Sequence, residues 1–155
     1  MQKSILIISS LICSSLLFSQ TKSNSNSFKL CDKVGVWPYY NPDLTYKGGF
    51  WEIKQVYQAE YPLATFQKLR NNSGIITIQF LVNCKGETGY FNIQQCDLNY
   101  QPTTLNQSIV DYFLSKTKIL KNWEPAKDEK GNVVNSHKFF SFRIKDGKLL
   151  EILPK

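Results

Sequence analysis

The stretch from Gly74 to Ile93, GIITIQFLVNCKGETGYFNI, constrains the fold most, because it specifies two strands, the turn between them and the face they bury. Ile76, Ile78, Phe80 and Val82 alternate with Thr77, Gln79 and Asn83, the period of two expected of a half-buried strand. Cys84-Lys85-Gly86-Glu87 supplies the turn. With Lys85-Gly86 at its centre, Phe80 falls opposite Phe91 and Ile78 opposite Ile93, so both strands turn large apolar side chains to one side. Turn and pattern therefore agree on one register.

The chain begins with an export signal, read from Lys3, the apolar run Ile5 to Phe18 and the small residue Ser19. Cleavage is expected between Ser19 and Gln20. The run is too short for a spanning helix, which needs ~20 apolar residues, and it is interrupted by Ser9, Ser10, Ser14 and Ser15. No integral membrane segment is expected after cleavage. Removing 19 of 155 residues leaves 136, enough for one domain of ordinary size. Without Lys3 the chain carries 18 Lys and Arg against 12 Asp and Glu. The signs alternate, as in Lys127-Asp128-Glu129-Lys130, which points to a solvated surface rather than to nucleic-acid binding.

Export leaves Cys31, Cys84 and Cys96 where disulfides form. The hairpin register puts Cys96 opposite Ile75, about nine residues and ~30 Å from Cys84, with the two side chains on opposite faces. A Cys84–Cys96 bridge is thereby excluded. Cys31 with Cys84, Cys31 with Cys96 and three free thiols remain, and Cys31–Cys84 is the expected pairing. The single histidine, His137, has no histidine partner, so neither a metal site nor a cofactor is expected.

Residues 20–46 read as a flexible Ser/Asn/Lys leader followed by an extended aromatic segment with Trp37, Tyr39 and Tyr40 laid over the core. Residues 47–155 read as the folded domain. Phe50, Ile53, Val56 and Tyr57 recur at helical spacing. Tyr61-Pro62 breaks that helix, and Pro62 opens a short second one carrying Leu63, Phe66 and Leu69. After the hairpin, Thr104 with Gln107 has the form of a capping box, and Leu105, Ile109, Val110, Phe113 and Leu114 give the helix that follows its apolar face. Phe140, Phe142 and Ile144 alternate with Ser141 and Arg143 in a third strand, and Asp146-Gly147 turns into a short final segment, Leu149 to Leu153. The expected fold class is α+β: an antiparallel three-stranded sheet packed against helices, with a short extra C-terminal strand.

Tyr61-Pro62 followed by Ala64, then Gly74, a strand ending in Val82-Asn83, the turn glycine Gly86, the capped helix, Trp123-Glu124-Pro125 and the closing FxFxI strand resemble, in that order, the C-terminal domain of TonB. The resemblance covers roughly Gly48 to Lys145. The wording FLVNCKGETGYF is also similar to small exported TonB-like proteins of Bacteroidetes. For TonB itself the resemblance implies a periplasmic module that grips a short peptide of an outer-membrane transporter by adding it as a strand to the sheet. The chain departs from TonB in that its apolar segment holds no histidine and no Pro-rich spacer follows it. Binding, not energy coupling, is what carries over.

The third strand, Lys138, Phe139, Phe140, Ser141, Phe142, Arg143 and Ile144, is on this reading the edge that receives a partner, with Phe139 contacting a ligand side chain. The partner is expected to be an envelope protein or peptide, an outer-membrane transporter among the candidates, met in the periplasm or outside the cell. Self-association into a homodimer is the structural alternative. A hydrolase with a carboxylate site built from Glu87, Glu124, Asp128, Glu129 or Glu151 is the enzymatic one. The expectation is a non-catalytic domain, since no histidine pair and no glycine-flanked serine occurs. Trp123 is expected to plug the core between helix and strand.

Overall fold

The hairpin forms with the register that its alternation requires. In the computed structural model, which describes residues 28–31, 35–37 and 44–155, β3 (Gly74–Val82) pairs antiparallel with β4 (Thr88–Cys96). Ile78 lies opposite Ile93 and Ile75 opposite Cys96. The match of Phe80 with Phe91 is made by a β-bulge: Gln79 pairs Asn92 and Leu81 pairs Gly89, and Tyr90 takes up the extra residue with φ 52°. Phe91 thereby stays on the core side and its ring stacks on that of Phe80 at 5.6 Å. The expected signal sequence, the leader to Ser27 and the aromatics Tyr39 and Tyr40 lie outside the described residues.

The sheet is larger and more mixed than the three antiparallel strands expected. Five strands of the described residues take part in it. β6 (Asn135–Lys145) pairs antiparallel with β3, placing Phe140 against Ile78 and Phe142 against Ile76. β1 (Val36–Trp37) runs parallel to the start of β6, with Val36 beside Asn135. β7 (Lys148–Leu153) folds back antiparallel on the other half of β6, from Lys145 to Ser141. The reason is local: Asp146 and Gly147 both have positive φ, 49° and 71°, as a two-residue hairpin turn of the primed type requires. A separate two-stranded sheet joins β2 (Thr45–Tyr46) to β5 (Trp123–Glu124).

Among the described residues, three helices cover one face. α1 (Gly49–Gln58) buries Ile53 and Tyr57, α2 (Leu63–Phe66) buries Phe66, and α3 (Gln107–Lys118) buries Ile109, Val110, Phe113 and Thr117. α3 starts later than the Thr104 capping box predicts. Asn106 is the cap, its side chain accepting the Ser108 N–H at 3.1 Å, while the Leu105 N–H donates to the Gln95 side chain at 2.8 Å and Leu105 is buried. Across the layer, the Phe113 ring stacks on Phe142 at 4.3 Å and Tyr57 meets Phe142 edge-on at 4.6 Å. Each such fully buried large side chain contributes roughly 1.5–3 kcal/mol. Trp123 is 5% exposed and plugs the core as expected. A Cβ on Gly86 would stand 2.5 Å from the Trp123 carbonyl oxygen, so the hairpin turn closes directly onto that plug.

Cys31 and Cys84 form a disulfide, with their Cα atoms 6.0 Å apart, and Cys96 is free. The bridge is one of several ties on the N-terminal segment. Asn135 grips the Cys31 backbone twice, donating to its carbonyl at 3.2 Å and accepting its N–H at 3.0 Å. Asn83, 1% exposed, donates to the Lys29 carbonyl and to a Glu87 carboxylate oxygen, and accepts the N–H groups of Lys85 and Glu87. Its amide has all its hydrogen-bonding capacity used, which is what a buried amide requires.

Candidate functional site

β6 is not an edge strand along most of its length. Ser141 to Lys145 are paired with β7, and Asn135 and Ser136 with β1, so the segment expected to receive a partner lies largely inside the sheet. The correction follows from the Asp146-Gly147 turn, which returns the chain onto β6 instead of leading it away. Phe140, Phe142 and Ile144 are buried under the helices, and Ser141 on the opposite face hydrogen-bonds to Thr77 at 2.8 Å. Phe139 is half-buried, on the face away from Phe140.

The free edges among the described residues are β4 on one side and, on the other, the two-residue β1 and the longer β7. β4 carries the Tyr90 bulge, and Phe28 sits edge-on against the Tyr90 ring at 5.1 Å. A bulge and a covering side chain are common ways to blunt an edge against pairing. β7 has an irregularity of its own, with Leu150 as the extra residue between the Arg143–Glu151 and Ile144–Leu149 pairs, and its Leu150 and Leu153 are exposed by 50% and 41%. Between β7 and α1 runs an open cleft of about 350 Å³, walled by Phe50, Leu149, Leu150 and Ile152. Lys54, Arg143 and Lys155 bring positive charge to it, against one carboxylate, Glu151.

β7 is held firmly at its start. Tyr61 donates its hydroxyl to the Gly147 carbonyl at 2.9 Å, the Gly147 N–H donates to the Asn72 carbonyl at 2.9 Å, and the Asp146 N–H donates to the Ser73 hydroxyl at 2.8 Å. Burial, with the neighbouring Tyr112 phenol second to it, raises the pKa of the Tyr61 phenol well above its usual range. The group is a neutral donor at any physiological pH. Tyr61, and the following turn of chain through Pro62, thus positions the β6–β7 hairpin.

A second, smaller cleft of about 200 Å³ opens beside the first and shares Phe50 and Lys155 with it. Tyr46, Trp123 and Phe140 form its aromatic wall, and Lys138 lies within it. Lys138 pairs with Phe80 in the β3–β6 register, so its side chain leaves the sheet on the buried face. Its ammonium stands 5.8 Å from the Trp123 ring centre and 5.7 Å from that of Phe140. Burial pushes its pKa below the ordinary lysine value.

Of the residues expected to form the site, the structure therefore brings Lys138 and Phe140 together at one cleft and Arg143 to the other. Leu150, Phe50 and Lys54 were missed by the sequence reading. The Asp146-Gly147 turn was the signal that pointed to β7. No family model matches the chain, and no curated protein or solved structure matches it either.

Proposed function

We propose that the chain is an exported, non-catalytic binding domain of the TonB C-terminal kind that takes an extended segment of an envelope protein as an added strand. The receiving edge is β7, not β6. The observation that carries this reading is the outer edge of β7, which pairs with no further strand among the described residues and borders the cleft against α1. An incoming strand satisfies the outward N–H and C=O groups of β7, and its alternate side chains reach the apolar floor at Phe50 and Leu150. Lys54, Arg143 and Lys155 favour a segment that carries acidic residues. The Cys31–Cys84 disulfide supports a periplasmic or extracellular setting. No helix among the described residues is long and apolar enough to cross a membrane.

A photo-crosslinking amino acid at Leu150 tests the reading against the same group at Asn92 on β4. Enrichment of an outer-membrane transporter or another envelope protein from Leu150 alone is the expected result. Equal capture at both sites, or capture only from Asn92, overturns the edge assignment. A second copy of the chain is the competing occupant, favoured by the exposed Leu150 and Leu153. Sedimentation velocity at micromolar concentration separates the two, since a compact monomer removes the dimer.

A further inference from the structure

Lys138 occupies a position that strand alternation reserves for apolar side chains. It shares parity with Phe140, Phe142 and Ile144, all 0–1% exposed, yet carries an ammonium into the layer between sheet and α1. A long lysine stem covering aromatic surface is a common arrangement, but the charged head then normally reaches water. Here the head stays over the rings of Trp123 and Phe140. Those rings attract a cation through their faces but accept few of its three hydrogen bonds.

Two carboxylates, Glu124 and Glu52, stand near the cleft without lining it. Among the described residues its wall carries no Asp or Glu side chain. Of the carboxylates in its neighbourhood, Glu124 accepts the Thr45 hydroxyl at 2.6 Å, and the Glu52 side chain folds back against Gly48, where a Cβ would meet its Cγ. Lys155 adds a second ammonium to the lining, and the first residues of α1, Gly49 and Phe50, bring the positive end of a helix whose cap makes no side-chain hydrogen bond. The two ammonium groups and the helix end are positive, inside an aromatic wall, with Glu52 of the first turn of α1 outside the lining.

We infer that the Lys138 cleft is a subsite for a carboxylate carried on a flat apolar body, such as an arylalkanoate or the free carboxyl terminus of a peptide ending in an aromatic residue. Size supports that class, since a cavity of ~150 Å³ accepts a benzene ring and this cleft offers about 200 Å³. The carboxylate meets Lys138, and the flat body lies against Tyr46, Trp123 and Phe140. Lys138 is half-buried and burial partly desolvates its ammonium, so a charge-assisted bond there is stronger than on an open surface. The inference does not depend on strand addition at β7.

The test is an NMR titration of the full chain with its disulfide intact, following the Trp123 indole N–H and the Lys138 side-chain resonances. Phenylacetate is compared with phenylacetamide, and a short peptide ending in phenylalanine with its C-terminally amidated form. At least one acid is expected to saturate and to shift both signals while raising the lysine pKa, with its neutral partner roughly tenfold weaker or more. Saturation by phenylacetate identifies a small-molecule subsite, and saturation by the peptide acid alone identifies a peptide terminus. Lys138→Gln is expected to lose roughly tenfold in affinity, and Lys138→Arg to retain most of it. Equal binding of acid and amide, or unchanged affinity in a folded Lys138→Gln, overturns the inference. So does the absence of saturation by either acid up to about 10 mM.

Discussion

Tyr57 places its hydroxyl 2.9 Å from that of Thr117, and Thr117 in turn donates to the Phe113 carbonyl at 2.7 Å. A hydroxyl has a single proton, so Tyr57 must be the donor in the first bond. Both side chains are fully buried, and the chain of bonds ties α1 to α3 through their inner faces. The two ends of this relay are unequal. Removing the tyrosine oxygen, Tyr57→Phe, leaves Thr117 still donating to its own helix and is expected to cost about 1 kcal/mol. Replacing the threonine, Thr117→Val, strands a phenol proton in the core and is expected to cost more, roughly 1–3 kcal/mol. Urea unfolding of both single variants and the double variant checks the order, and a double variant no worse than Thr117→Val confirms that one bond is shared.

At the scale of elements, what was legible in the sequence was whatever repeats along a single strand or helix. The period of two in Ile76 to Val82 and in Phe140 to Ile144 is a property of each strand alone, and both strands stand where that period put them. The turn centred on Lys85-Gly86 carried the register onto β4, and that register excluded a Cys84–Cys96 bridge. Choice of neighbour is not written in periodicity. Val36–Trp37 pairs with β6 in parallel through only two residues, too few to leave a pattern. The parity of Lys138 with Phe140 was countable in the sequence, but a lysine on an apolar row gives no hint of which rings will meet it until Trp123 arrives from another element.

The N-terminal tie is the element whose energetic weight is easiest to isolate. The disulfide spans 53 residues, and closing a loop of that length in the unfolded chain corresponds to about 4 kcal/mol in the chain-entropy account. Replacing both cysteines, Cys31→Ser with Cys84→Ser, is expected to lower the unfolding free energy measured in urea by a comparable amount. Cys96→Ser, which removes a free thiol, is expected to leave it unchanged. A loss much below this figure would mean that the segment detaches once the bridge is gone, since the freedom it gains in the folded state offsets that gained by the unfolded chain.

For the molecule as a whole, the aromatic core sets the response to alkali. The phenols of Tyr46, Tyr57, Tyr61 and Tyr112 all titrate above their usual range, first of all because burial disfavours the phenolate. The folded state thus keeps protons that the unfolded chain releases once the pH passes the ordinary tyrosine value of 10.0. Below that pH these groups leave stability flat, and above it stability falls. For Tyr57, which is buried throughout, the slope is about 1.4 kcal/mol per pH unit. Lys138 acts with the opposite sign, because its lowered pKa adds stability as the pH rises toward the ordinary 10.5. Its contribution is complete where the tyrosine loss begins, so stability is expected to peak near pH 10 and then drop. Urea unfolding between pH 8 and 11 in a chain from Gln20 onward with Cys96→Ser, where no free thiolate attacks the disulfide, measures the curve. Tyr57→Phe starts lower at pH 8 and is expected to have regained about 1.4 kcal/mol on its parent by pH 11. Parallel curves for the two proteins would show that the Tyr57 phenol reaches solvent before the core opens.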